Sequence, residues 1–324
     1  KAEAVDVSDD SEDGKLSFYI FGNNASGTRF VLDGDSRISL SNNDNNTSNT
    51  VFGKSAFNAG SDNSSDFNTV FGELVMGTGT VSGADNNSGF GYKALQEITS
   101  ASNNTAVGFR AGTAITTGDG NTVMGSTAGD AITTESNCTL IGQFAGSGIN
   151  SADANGSTAV GNTALWKNTS GRYNTAIGFQ SLAQNLTGDS STSLGYQALT
   201  ATLANDNTGI GYLAGDTITS GTGNTLLGAS ADVSASGSTN QIVIGQGATG
   251  VADNSVSLGN ASVTAVYIAK GNDTSQDLNF FDSAGGGGNL QYTHGDDQMK
   301  FGVADAVRAR LFAGSFDPGS NDAI

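Results

Sequence analysis

Asn174-Thr175-Ala176-Ile177-Gly178 is one copy of a five-residue motif, Asn-Thr-x-Φ-Gly, in which Φ is a large apolar residue. The motif recurs thirteen times, with 14 to 19 residues from one copy to the next. Its final residues are Gly53, Gly72, Gly91, Gly108, Gly125, Gly142, Gly161, Gly178, Gly195, Gly211, Gly228, Gly245 and Gly259. A short, regular period of this kind is typical of solenoids, in which each repeat is one coil. The motif therefore predicts an all-β fold, an elongated parallel β-roll or β-solenoid.

The motif also predicts which side chains share a face. Thr, present in ten copies, stands two residues before Φ, and alternate residues of a strand point to the same side. Because Φ is always large and apolar, we assign the face carrying Thr and Φ to the interior. The residue between them varies among Ala, Val, Leu, Gly and Ser, which fits an outer face. The motif glycine is expected to form a tight turn or to adopt a positive φ.

A small residue, Ala or Ser, follows the motif glycine by three positions in twelve of the thirteen copies, and Val75 is the exception. It predicts close backbone approach, either within a coil or at a subunit axis. Thirteen coils about 4.8 Å apart extend roughly 60 Å. Each coil guarantees only one large apolar side chain, so a single chain would have a thin core. We therefore expect several chains to share one core in an obligate oligomer.

Three segments are expected along the chain. Residues 1–48 lack the motif, and their apolar runs at 15–20 and 29–40 predict a β-hairpin or β-prism. Residues 49–262 form the repeat shaft. Residues 263–324 return to longer alternating runs, which predict a short β-meander or β-prism.

Composition limits the function. The net charge of −18 comes from 31 acidic and 13 basic residues, so the chain should repel nucleic acids and anionic membrane surfaces. The sequence has no run of about 18 apolar residues, so it predicts no membrane-spanning helix. The first ten residues lack the apolar core of a signal peptide, and the absence of an initiator Met suggests a fragment or a processed product.

Several stretches resemble known fibrous families. The repeats at 240–248 and 254–262 resemble the head repeats of trimeric autotransporter adhesins, which form a left-handed parallel β-roll in a trimer. The longer unit at 174–182 resembles repeats of bacteriophage tail fibres, as do the segments 263–268 and 292–310. The resemblance covers roughly residues 49–312.

The resemblance implies an intertwined homotrimer, located in the virion tail, that mediates host attachment. Its partners would be its own copies, other virion tail proteins and a host surface receptor, with a glycan as one candidate. In tail fibres such a C-terminal segment often precedes a tip, or a chaperone domain that assists trimerisation and then cleaves itself off. No chaperone is in this sequence, so we expect that it was removed or that the chain stops before it.

Three other functions make different demands on the sequence. A bacterial surface adhesin or extracellular filament subunit would use the same roll. A polysaccharide-degrading tailspike would need paired carboxylates, and we expect no Asp or Glu repeating at a fixed motif phase. Ice binding would need an outward Thr face, which the inward assignment excludes. We therefore expect a structural fibre protein and no enzyme.

Isolated chemical signals favour no catalytic, cofactor or metal site. Gly53-Lys54-Ser55 lacks the earlier glycine of a phosphate-binding loop. His294, the only histidine, has no second His or Cys for a metal set. The single cysteine, Cys138, replaces the motif's Asn and is interpreted as a tolerated small residue. Trp166 and Tyr173 are interpreted as local packing, with sugar stacking as the alternative. Structural cations on Asp- and Asn-rich turns are a further alternative.

Overall fold

A computed structural model describes residues 16–19, 28–32, 38–39, 49–57, 64–151, 154–264, 275–281, 287–293, 298–303, 306–312 and 315–317. These residues contain strands and turns and no helix. The strands are β1 (Leu16–Tyr19), β2 (Thr28–Leu32), β3 (Ile38–Ser39), β4 (Thr50–Phe52), β5 (Thr69–Phe71), β6 (Ser88–Phe90), β7 (Thr105–Val107), β8 (Thr122–Met124), β9 (Thr139–Ile141), β10 (Thr158–Val160), β11 (Thr175–Ile177), β12 (Thr192–Leu194), β13 (Thr208–Ile210), β14 (Thr225–Leu227), β15 (Ile242–Ile244), β16 (Val256–Leu258), β17 (Ser275–Phe281), β18 (Gly287–Thr293), β19 (Gln298–Val303), β20 (Ala306–Phe312) and β21 (Ser315–Asp317).

The repeats form a parallel β-solenoid of about 12 turns, which confirms the predicted fold class. Strands β4 to β16 make one thirteen-stranded sheet in sequence order, and each motif contributes one three-residue strand. Pairing is in register, so Thr158 faces Thr175 and Val160 faces Ile177. Equivalent motif residues therefore lie in columns along the solenoid.

The flanking strands are antiparallel. Strands β1 to β3 form a three-stranded sheet, and β17 to β21 form a five-stranded sheet in sequence order. By its internal contacts the chain divides into two compact units, residues 1–260 and 261–324.

Backbone hydrogen bonds join each coil to both neighbours. In the coil that carries β11, for example, the Thr175 N–H donates to Ser191 O of the following coil at 2.9 Å. The Gly178 N–H donates to Val160 O of the preceding coil at 2.8 Å. Since the ladder supplies partners to both sides of a three-residue strand, such short strands are stable only in a stack.

The interior face differs from the prediction. The residue between Thr and Φ is buried in eleven of the thirteen copies, whereas Φ points outward. The buried residues are Val70, Gly89, Ala106, Val123, Leu140, Ala159, Ala176, Ser193, Gly209, Leu226 and Val243. The assignment of Thr and Φ to the interior is therefore wrong for the single chain.

Residues at other positions of the repeat fill the interior of each coil, which explains why Φ points outward. The small residue three positions after the motif glycine is buried in the described coils between 75 and 248, which selects close approach within a coil. The next position contributes large side chains such as Leu95, Leu165 and Leu182, and Ile98 and Ile115 come from the position seven after the glycine. Because the residues three, four and seven positions after the motif glycine fill the interior of the coil, the motif strand has room there only for a variable, often small, side chain.

The motif glycine has the predicted positive φ. Its value lies between +122° and +148° in the twelve copies from Gly53 to Gly245. At Gly125, φ is +139° and a Cβ would lie 2.5 Å from the Gly142 carbonyl oxygen of the next coil. Glycine is therefore required both by the backbone conformation and by the contact between successive turns.

The Asn of the motif forms a buried hydrogen-bonded ladder. The Asn87 Oδ1 accepts from the Asn104 N–H at 3.0 Å, and the Asn104 Oδ1 accepts from the Asn121 N–H at 2.9 Å. The amide nitrogen of Asn104 donates to Gly118 O at 2.9 Å. Each side chain thus satisfies backbone groups on two coils, which explains why a polar residue is placed in the interior.

Cys138 interrupts this ladder, and restoring Asn should stabilise the protein. Its N–H donates to Asn121 Oδ1 at 3.0 Å, while the backbone amides of Ser157 and Gly156 face its sulfur, a weak acceptor. We expect Cys138→Asn to raise the free energy of unfolding by about 1 kcal/mol, because an amide oxygen would accept from the Ser157 N–H. Denaturant titration measures the free energy of unfolding, with Cys138→Ser as the comparison. A Cys138→Asn variant that is less stable than Cys138→Ser would contradict the prediction.

Candidate interaction surface

The outer face of the sheet carries an uninterrupted column of large apolar side chains, here called the Φ column. Nine of its members are exposed and four are half-buried. They are Phe52, Phe71, Phe90, Val107, Met124, Ile141, Val160, Ile177, Leu194, Ile210, Leu227, Ile244 and Leu258. Over about 12 turns, at about 4.8 Å each, this column runs about 60 Å. Contiguous exposed apolar surface on this scale marks an interaction site.

The Φ column changes in character along its length. Aromatic residues occupy its first three positions, and the rings of Phe52 and Phe71 stack with centroids 4.7 Å apart. From Val107 to Leu258 every member is aliphatic or Met. The column therefore has a direction, with its aromatic end toward the N-terminal coils.

The outward Thr residues remove one argument against ice binding. Ice binding needs outward-facing Thr residues, and the structure places Thr on the same outer face as Φ rather than in the predicted interior. The Φ column itself still argues against it. Its side chains range from Val to Phe, so they project to different heights and do not make a flat face.

A second surface column, here called the post-glycine column, follows the motif glycine by one residue. Its members are Lys54, Glu73, Tyr92, Phe109, Ser126, Gln143, Asn162, Phe179, Tyr196, Tyr212, Ala229, Gln246 and Asn260. Tyr92 stacks on Phe109 with centroids 5.6 Å apart, and Tyr196 stacks between Phe179 and Tyr212 at 5.4 and 5.3 Å. Sequence interpretation missed this column, although aromatic residues occupy it in five of thirteen copies.

Acidic residues do recur at one motif phase, which corrects the expectation that none would. Asp66, Asp85, Asp119, Asp189 and Asp253 all lie six residues before the motif glycine. Four of them accept a backbone N–H of the preceding coil through Oδ1, as Asp119 does from Ser102 at 2.6 Å. These bonds give the four carboxylates a structural task in joining coils.

Two surface carboxyl groups have displaced pKa values. The hydrogen bond from the Arg172 side chain lowers the pKa of Asp189, and the guanidinium Nη2 lies 2.8 Å from Asp189 Oδ2. Burial, and then the negative charge of Asp232, raise the pKa of Asp216. In the described part of the chain, no group of three or more His, Cys, Asp or Glu could hold a metal ion.

The structure shows where most of the individually considered residues of the sequence lie. Lys54 Nζ lies 3.4 Å from Glu73 Oε1 on the next coil, within the post-glycine column. Cys138 is buried, and this burial raises the pKa of its thiol. Tyr173 is exposed and its ring lies beside Gly156, while Lys167 Nζ lies 5.5 Å from the centroid of the Trp166 ring. His294 lies outside the described residues.

Comparison of the chain with protein-family models, with curated proteins and with solved structures finds no match. Among the described residues there is no helix long and apolar enough to cross a membrane.

Proposed function

We propose that this chain is the shaft of a homotrimeric fibre, most specifically a bacteriophage tail fibre that mediates attachment to a host cell. The observation that carries the proposal is the Φ column, a continuous apolar stripe on an otherwise complete solenoid. Each coil has its own buried core, so the column is not needed to fold the single chain. Its occupant is a second and a third copy of this chain.

The uniformity of the Φ column supports packing around a symmetry axis. In a parallel, in-register trimer each Φ residue would meet its own copies, so every level of the axis would be apolar. Phe52 would face Phe52, and Leu258 would face Leu258. In an antiparallel pair, the aromatic end would instead meet the aliphatic end. The post-glycine column contains Lys54 and Glu73 among its members, so it is less suited to such an axis.

Magnitudes favour assembly despite the charge. Half-burying thirteen large apolar side chains contributes on the order of 1 kcal/mol each per chain. Lost translational and rotational freedom opposes this by roughly 4–15 kcal/mol per association step. The net charge of −18 per chain adds repulsion, which salt screens. We therefore expect trimers that become more stable with rising ionic strength.

As a fibre, the protein would act by stiffness and by multivalency. Three chains present three copies of any receptor-binding site, which strengthens weak contacts to a host surface. Its partners would be other virion tail proteins and a surface receptor, and this role needs no catalytic step or cofactor. A bacterial surface adhesin is the alternative, because the same solenoid and the same apolar column would serve there.

The test is the native mass of the purified chain, measured by light scattering together with negative-stain images. We expect about 98 kDa, three times the 32.5 kDa of one chain, in an elongated particle. A homogeneous species of one chain, with the Φ column exposed to water, would overturn the trimeric fibre.

A further inference from the structure

We propose that the shaft itself binds neutral glycans, in two equivalent notches of the post-glycine column. Each notch consists of three residues on consecutive coils: an aromatic residue, a small residue and a glutamine. The first is Phe109, Ser126 and Gln143, and the second is Tyr212, Ala229 and Gln246. This inference deepens the proposed function by naming the chemistry of the receptor, and it rests on that function for its biological setting.

Each notch begins where an aromatic stack ends. Tyr92 covers one face of Phe109, and Tyr196 covers one face of Tyr212. On the other side the next coil supplies only Ser126 or Ala229, which leaves the second ring face without an aromatic neighbour. The exposure agrees at the second notch, because Tyr212 is 54% exposed against 43% for Tyr196, whose ring has aromatic neighbours on both faces; Phe109 of the first notch is 50% exposed.

The width of a notch matches one flat ring. The aromatic residue and the glutamine are two coils apart, about 9.6 Å between backbones at about 4.8 Å per coil. Subtracting the half-thickness of the aromatic ring and of the amide leaves space for one ring in van der Waals contact with both. The small middle residue forms the floor.

The chemistry of the walls selects a sugar. One wall is an aromatic face, which the C–H face of a pyranose can cover. The other is a primary amide, which both donates and accepts hydrogen bonds, as sugar hydroxyl groups require. Gln143 Oε1 also accepts from Asn162 Nδ2 of the following coil at 3.0 Å, which leaves the Gln143 N–H groups and the second lone pair for the sugar. The three residues of each notch carry no charge, so an uncharged sugar fits better than a cation or a phosphate.

The presence of two notches on one chain adds to the affinity for a polysaccharide. The two notches are six coils apart, about 29 Å along the solenoid. A polysaccharide lying along the shaft could occupy both, and three chains would offer six notches in all. Linked occupancy of this kind raises overall affinity beyond that of one sugar ring.

The test uses the full chain and a printed array of neutral oligosaccharides of glucose, galactose, mannose and N-acetylglucosamine, followed by calorimetry on the best binder. Tyr212→Ala and Phe109→Ala remove the aromatic walls, and Ala229→Leu with Ser126→Leu fills the floors. We expect each single-notch variant to bind half as many short oligosaccharides per chain with an unchanged Kd, and the Phe109→Ala, Tyr212→Ala double variant to lose detectable binding. Tyr173→Ala, which removes a still more exposed aromatic side chain outside the column (63%), is the control and should bind like the unaltered chain.

Glycan binding by the notches and assembly of the trimer can be tested separately. Each notch is complete within one chain, so a variant that dissociates into single chains but keeps solenoid circular dichroism should retain binding to a single oligosaccharide. No binding across the array, or loss of binding in Tyr173→Ala but not in the notch variants, would overturn the glycan notches. Binding that vanishes on dissociation would also overturn them, because the site would then need more than one chain.

Discussion

Replacing Ile177 and Leu194 by Asp should convert the trimer into single chains of 32.5 kDa. Both residues belong to the Φ column, on adjacent coils, and are 36% and 45% exposed in the single chain. In a parallel trimer the change would place six carboxylates around one axis. Like charges at such short range repel strongly, and each also loses its hydration. Light scattering across a dilution series measures the effect.

A matched control lies on the same coils. Leu186 and Leu203 each lie eight residues after a motif glycine, outside the Φ column, and are 41% and 44% exposed. The Leu186→Asp, Leu203→Asp double variant adds the same charge at positions of similar exposure, so its mass should remain about 98 kDa, three times 32.5 kDa. Equal masses for the two double variants would show that the Φ column is not the interface.

Gly125→Ala should strongly destabilise the shaft, because it combines an unfavourable backbone conformation with a clash between successive coils. Its φ of +139° is a conformation that side chains rarely adopt, which costs about 1–3 kcal/mol. The new Cβ would also lie 2.5 Å from the Gly142 carbonyl oxygen, so neighbouring coils would have to separate. We expect a total loss of about 3 kcal/mol or more, most of it local to the adjacent coils. Amide hydrogen exchange of residues 105–141 measures this local opening.

Gly83→Ala adds a methyl group at a positive φ without a clash. Gly83 also has a positive φ, +70°, but the nearest atom to an added Cβ is Ser64 Oγ at 4.0 Å. This variant should lose only about 1 kcal/mol, since it meets strain without a clash. Similar losses for the two variants would mean that the close contact between successive glycines is not a constraint on the stack.

The repeat motif was sufficient to predict the solenoid, its parallel in-register sheet and the roles of two residue types. A glycine recurring at one phase, as at Gly125 and Gly142, indicates a backbone position that tolerates no side chain. A recurring small residue, as at Ala128 and Ala145, indicates close backbone approach, and the structure places that approach within the coil. Both inferences rest on steric exclusion, which acts on each coil separately and is therefore visible in a single sequence.

The direction in which the motif strand faces was decided only by the tertiary structure. Alternation shows that Thr175 and Ile177 share a face, but it is symmetrical between the two sides of a strand. The choice depends on what else fills the coil, and residues such as Leu165 and Leu182 come from the turns. Because these side chains already occupy the interior, the large Φ residues point outward and form the surface that we propose joins three chains. The stacked rings of the post-glycine column likewise depend on which coils become neighbours in space.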